Sequence, residues 1–144
     1  MFSFNKTTAA LTLALLSCLP SISLAADWVL VANAKSSINK LDADAVGNLY
    51  LGKSTDLPGV GSVAVLDLPE GSTTRDSFYQ DVTKKDASAL KAYWARMIFT
   101  GKGQPPRAMD SAAAVKKAVA ANPSAVGYIE KSAVDASVKV LLAL

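Results

Sequence analysis

The chain has 144 residues, a formal net charge of +3 and a composition that is 51% hydrophobic. It holds no histidine and one cysteine, Cys18, which excludes the usual zinc sites and the nucleophile–histidine arrangements; no metal, cofactor or enzymatic activity is expected. The charge excess is mild and lacks a basic cluster with interleaved aromatics, so nucleic acid is not an expected partner.

Lys6 is the only charge before Asp27, and the apolar run Ala9–Leu19 follows it. This pattern predicts a secretory signal peptide over residues 1–25 and a periplasmic or secreted protein. Pro20 breaks the run, and Ser23-Leu24-Ala25 supplies the small-x-small site for cleavage after Ala25. Leu24-Ala25-Ala26 fits less well, because Leu24 fills a small position. The run falls short of the roughly 20 residues that span a membrane. Cleavage leaves residues 26–144 as one domain without cysteine, hence without a disulfide.

Trp28–Ala32 is apolar on successive residues and predicts a strand covered on both faces. A polar turn, residues 33–38, contains Ser36 and Ser37. Residues 41–52 predict a helix capped by Asp42 and stopped by Gly52. Ala45, Val46, Leu49 and Tyr50 form its apolar face, and Gly47 weakens it by ~1 kcal/mol relative to alanine. Lys53–Gly61 reads as a loop around Pro58-Gly59. Ser62–Asp67 is the second strand, and a helix runs from near Ser72 to about Thr83, with a solvated hinge of mixed charge at residues 84–86.

Residues 87–100 give the clearest helical period, with Leu90, Tyr93, Trp94, Met97 and Ile98 on one face toward the core. Asp86 or Ser88 caps it and Gly101 ends it. The breaker-rich loop 101–107 lacks phosphate-loop spacing. Asp110 is the expected cap of a helix over 111–121, stopped by Asn122-Pro123. Residues 124–129 and 138–142 predict the last strands. Strands separated by helices favour a mixed α/β sandwich with a largely parallel sheet.

The chemistry concentrates after the second strand, in Glu70-Gly71-Ser72-Thr73-Thr74-Arg75. A glycine that lets an anion approach, three hydroxyls and the unpaired N–H groups of a helix start form an oxyanion-binding turn. The same residues also make an ordinary capped helix start. Arg75 can close over an anion with its fork, or lie on the solvent face, or pair with Glu70 or Asp76. Asp67 and Glu70 read as turn and cap residues. Ser36 and Ser37 would join the turn if their strands were neighbours.

At this point the residues resemble a family, the substrate-binding proteins of phosphate ABC transporters in the type 2 periplasmic-binding-protein superfamily. Val29–Ile38 with Leu41–Lys53 is similar to that family's opening strand, Asn-x-x-Ser turn and following helix. Glu70–Phe78 resembles its phosphate turn, and Ala125-Val126-Gly127-Tyr128-Ile129 a later strand. Tyr93–Pro106 looks like the same run in short, single-lobe members. The resemblance implies a single-lobe α/β sandwich, with a mixed, mostly parallel sheet and helices on both faces. It further implies non-catalytic binding of a phosphate-like oxyanion by Gly71, Ser72, Thr73 and Thr74, with Ser37 and Arg75 as further candidates. An ABC transporter permease, another envelope protein or a second copy in a homodimer are the implied partners. The family's turn carries glycine where Thr73 stands, and arginine where Leu68 stands. Full-length members clamp phosphate between two lobes, and this chain has the length of one. The alternative is an interaction or structural module built on a repurposed lobe without a tight small-molecule ligand.

Overall fold

The computed structural model describes residues 27–144; the predicted signal peptide and its cleavage site lie outside the described residues. Strand β1 (Trp28–Asn33) is buried at every position, as an unbroken apolar run requires. Helix α1 (Ala43–Tyr50) starts where Asp42 Oδ1 accepts the Ala45 N–H at 2.7 Å. It stops before Gly52, whose φ of +69° suits glycine. The expected loop that follows contains a small hairpin, β2 (Asp56–Leu57) and β3 (Gly61–Ser62). Two-residue strands carry no readable period.

Strand β4 (Ala64–Asp67) leads into α2 (Thr73–Thr83), and α3 (Ala87–Phe99) follows, capped by Asp86. The breaker-rich loop then yields a short strand, β5 (Arg107–Ala108). Helix α4 (Ala112–Ala121) is capped by Ser111 rather than by Asp110: the Ser111 hydroxyl accepts the Ala114 N–H at 3.1 Å. Strand β6 (Ala125–Glu130), one 3₁₀ turn and β7 (Val138–Ala143) complete the described residues.

The main sheet has the order β5-β4-β6-β1-β7. β4 runs parallel to both β5 and β6, while β1 is antiparallel to β6 and to β7. All the strands but β1 therefore share one direction, and the sheet is mixed and mostly parallel. Helices cover both faces. Alternation along β6 points Gly127 at α4, where a Cβ would lie 2.5 Å from Val115 Cγ1, and Tyr128 at α1 and α2. On that second face Phe78 stacks on Tyr128 at 3.8 Å and meets Trp28 and Tyr50 edge-on. The core is thus aromatic under α1 and α2 and aliphatic under α4.

Gly47 has a packing reason: α2 crosses α1 so closely that a Cβ there would stand 2.8 Å from the Val82 carbonyl oxygen. In α3, Leu90 and Trp94 are buried, with Trp94 lying against Gly52. The expected core stripe stops short. Ile98 is 55% exposed and Phe99 93% exposed, because the last turn of α3 runs past the layer it packs on. Among the described residues no helix is long and apolar enough to cross a membrane.

Candidate functional site

β4 ends at Asp67, and Leu68 and Pro69 lead into a tight turn closed by the Ser72 N–H donating to Pro69 O at 3.1 Å. Gly71 takes φ +91°, a conformation that favours glycine, and a Cβ there would meet no heavy atom within 4 Å. The space above the turn is open. Ser72 is the N-cap of α2, its hydroxyl accepting the Arg75 N–H at 3.3 Å. The N–H groups of Thr73 and Thr74 have no intrahelical acceptor and lie at the positive end of the helix dipole. Gly71, Ser72, Thr73, Thr74 and Arg75 are therefore gathered at one helix start.

α4 opens at the same end of the sheet. It follows β5, which runs parallel to β4 with Asp67 level with Ala108, and the Met109 N–H donates to Asp67 O at 2.8 Å. Two serine-capped helix starts thus leave from adjacent parallel strands, and Ser111 joins Ser72 as a hydroxyl on this edge.

Ser37 lies elsewhere. It follows β1, which runs against β4 and is separated from it by β6. The end of β1 is therefore level with Ala125 and the beginning of β4, and the structure does not bring Ser37 to the turn. Ser36 is buried and local, its hydroxyl accepting the Ile38 N–H at 3.1 Å and its carbonyl accepting from Lys139. A cavity of about 280 Å³ lined by Asn39, Lys40 and Val140–Ala143 runs along β7, at the opposite edge of the sheet from the turn.

Beneath the turn sits a buried polar cluster. Asp67 is 3% exposed. Tyr79 donates to its Oδ2 at 2.6 Å, the Leu68 N–H donates to Oδ1 at 2.8 Å, and the Tyr128 hydroxyl donates to Oδ1 as well. Burial, and next the nearby Asp67 carboxylate, push the Tyr79 and Tyr128 hydroxyls far above their ordinary range. Both stay protonated donors at neutral pH. Tyr50, also raised by burial and then by Asp67, donates instead to Leu66 O at 2.8 Å.

Arg75 reaches back from α2 into this cluster. Its Nε is 3.5 Å from Asp67 Oδ2, its side chain is 12% exposed, and its guanidinium lies 5.0 Å from the Tyr79 ring centre. The expected solvent-facing position, or a pair with Glu70 or Asp76, is thereby replaced by an inward one. Glu70 instead meets Lys91 at 3.9 Å, both side chains being largely exposed, and such a pair is worth little. Asp67, expected as a turn residue, is the hub of this cluster. The available signal was the pair Tyr79 and Tyr128, whose hydroxyls on otherwise apolar faces need buried partners.

No protein-family model and no curated protein sequence matches the chain. Solved structures do. One, assigned as a phosphate ABC transporter substrate-binding protein with bound phosphate from Clostridium perfringens, superposes with a TM-score of 0.64 at 24% identity, over 80% of this chain and 44% of that one. An ABC-type phosphate transport receptor from Vibrio cholerae gives 0.62 at 25% identity, over 80% and 45%. PstS from Borrelia burgdorferi gives 0.60 at 12%, over 80% and 46%. The fold is that of phosphate ABC transporter substrate-binding proteins. The chain spans less than half the length of these structures. The mixed, mostly parallel sheet with helices on both faces agrees with the architecture that the resemblance implied.

Proposed function

We propose that this chain is a non-catalytic, solute-binding protein of the periplasm that takes a small, phosphate-like oxyanion at the start of α2. The observation that carries the reading is the helix start itself. Gly71 leaves open space over the turn, the Thr73 and Thr74 N–H groups point out of the helix, and Arg75 sits in the same first turn. Backbone donors, hydroxyls and a guanidinium are the donor set for a tetrahedral oxyanion. The second helix start at Ser111 adds its dipole at the same edge. The bound phosphate of the Clostridium perfringens structure supports the ligand class. The transport roles given to that protein and to the Vibrio cholerae receptor support an ABC transporter permease as partner.

Isothermal titration with phosphate and with sulfate at low ionic strength tests this reading. Heat that saturates at millimolar ligand or below, and weakens in Ser72→Ala, is expected. No heat at millimolar ligand would refute it.

A second reading, an interaction module on a repurposed lobe, is favoured by one specific observation. Phe99 and Ile98 form an exposed apolar end to α3 of the kind that marks contact surfaces. Sedimentation equilibrium of the wild type and Phe99→Ser checks it: self-association that the substitution removes supports the module, and a monomer throughout counts against self-pairing.

A further inference from the structure

We propose that Asp67 is the positioning residue for Arg75: locked by Tyr79, Tyr128 and the Leu68 N–H, its carboxylate holds the guanidinium at the first turn of α2, facing the oxyanion. The inference rests on the functional reading above and deepens it.

The argument begins with the burial of Arg75. A guanidinium taken out of water needs counter-charge or full hydrogen bonding. Arg75 Nε is buried and finds no hydrogen-bond acceptor of good geometry. Among the described residues its ion-pair partner is Asp67, at 3.5 Å. Both oxygens of that carboxylate are already engaged by neutral donors. The carboxylate therefore cannot turn toward Arg75, and it holds the guanidinium by charge from a fixed position. Tyr79 serves twice, fixing Oδ2 with its hydroxyl and supporting the cation with its ring. The arrangement anchors the cation without consuming its donors in a tight pair.

Removing one partner of a buried ion pair strands the other. Without the Asp67 charge, Arg75 has no reason to stay inside and leaves for solvent, so the turn loses its cation as fully as if the arginine were replaced. Asp67 and Arg75 then act on anion binding as one unit, and their substitutions are strongly non-additive.

Side-chain NMR on ¹⁵N-arginine-labelled full chain tests the positioning directly, with no ligand present. Arg75, Arg96 and Arg107 are the arginines of the chain, and Arg96 and Arg107 are exposed. The Arg75 Nε–H should exchange with water at least about tenfold more slowly than the other two, as a buried, anchored group does. Equal exchange would overturn the proposal even if no variant folds. In Asp67→Asn, whose fold is checked from the amide spectrum, the Arg75 signal should move to join those of Arg96 and Arg107; an unmoved signal overturns the proposal. Inorganic phosphate titrations complete the test. Arg75→Gln and Asp67→Asn should each lose roughly tenfold in affinity, the scale of one charge-assisted hydrogen bond, and the double variant no more than either. Additive losses, or tighter binding by Asp67→Asn, overturn the inference. A wild type that binds no phosphate instead refutes the oxyanion reading, while the arginine exchange still decides whether Asp67 holds Arg75.

Discussion

Gly47→Ala sets a helix propensity against a contact. Gly47 lies inside α1, and alanine there should strengthen an isolated helix by ~1 kcal/mol. The structure puts the added Cβ 2.8 Å from the Val82 carbonyl oxygen and 3.7 Å from its carbon. The obstacle is the backbone of α2, not the free end of a side chain, so it yields only if the two helices separate. Overpacking of this kind costs ~1–3 kcal/mol. The net expectation is a destabilisation of about 1 kcal/mol, or roughly 3–6 °C in Tm for a chain of this size. Urea denaturation of the full chain measures it, with Asn48→Ala as control, since Asn48 is exposed on the same helix and should gain a few tenths of a kcal/mol. If Gly47→Ala stabilises the protein as Asn48→Ala does, α2 does not approach α1 as described and the close-packing argument fails.

Ser72→Ala removes the α2 cap and should cost about 0.5–1 kcal/mol in urea denaturation, at the lower end of cap losses because the accepted bond is long at 3.3 Å. Tyr50, Tyr79 and Tyr128 have raised folded values, so the stability they contribute is fully present below their unfolded value of about 10 and is lost as pH rises beyond it. Their phenolate absorbance should appear only together with loss of the near-ultraviolet circular dichroism; a separate, earlier titration of these tyrosines would contradict their burial. Asp135 is held below the usual carboxylate range by hydrogen bonds from Ser137 and Lys116. Its contribution is present above an unfolded value of about 4 and is lost as pH falls through the lower folded one, so its side-chain carbon in an NMR titration should show no inflection near pH 4. Gly127→Ala drives a Cβ to 2.5 Å from Val115 Cγ1 and should cost ~1–3 kcal/mol in the same urea assay.

The parts legible in the sequence are those written in local chemistry. Asp42, Ser72 and Asp86 announce helix starts because a short polar side chain can satisfy N–H groups within its own turn. The six-residue strands β1, β6 and β7 announce themselves by apolar or alternating runs. What sequence could not deliver depends on distant partners. β5 is a strand only because it lies beside β4, and its Arg107-Ala108 carries no period of its own. The end of α3 looks like core because Ile98 keeps the helical spacing, but whether a helix face is covered depends on where the opposing layer stops. Ser36 and Ser37 shared the composition of a binding loop, yet strand direction put that loop at the other end of the sheet.

The helix start at Ser72 is legible in the sequence, and the inward position of Arg75 is not. The resemblance places an arginine at Leu68, on the strand side of the turn. In this chain Leu68 is 4% exposed and its N–H is bonded to the Asp67 carboxylate, so that position faces the core. Arg75 approaches the same carboxylate from α2, over the Tyr79 ring, and needs no place in the strand. Asp67 at the end of β4 and a guanidinium in the first turn of α2 therefore belong to one arrangement. Where the resemblance places an arginine at Leu68, this chain brings a guanidinium to Asp67 from the helix, seven residues further on.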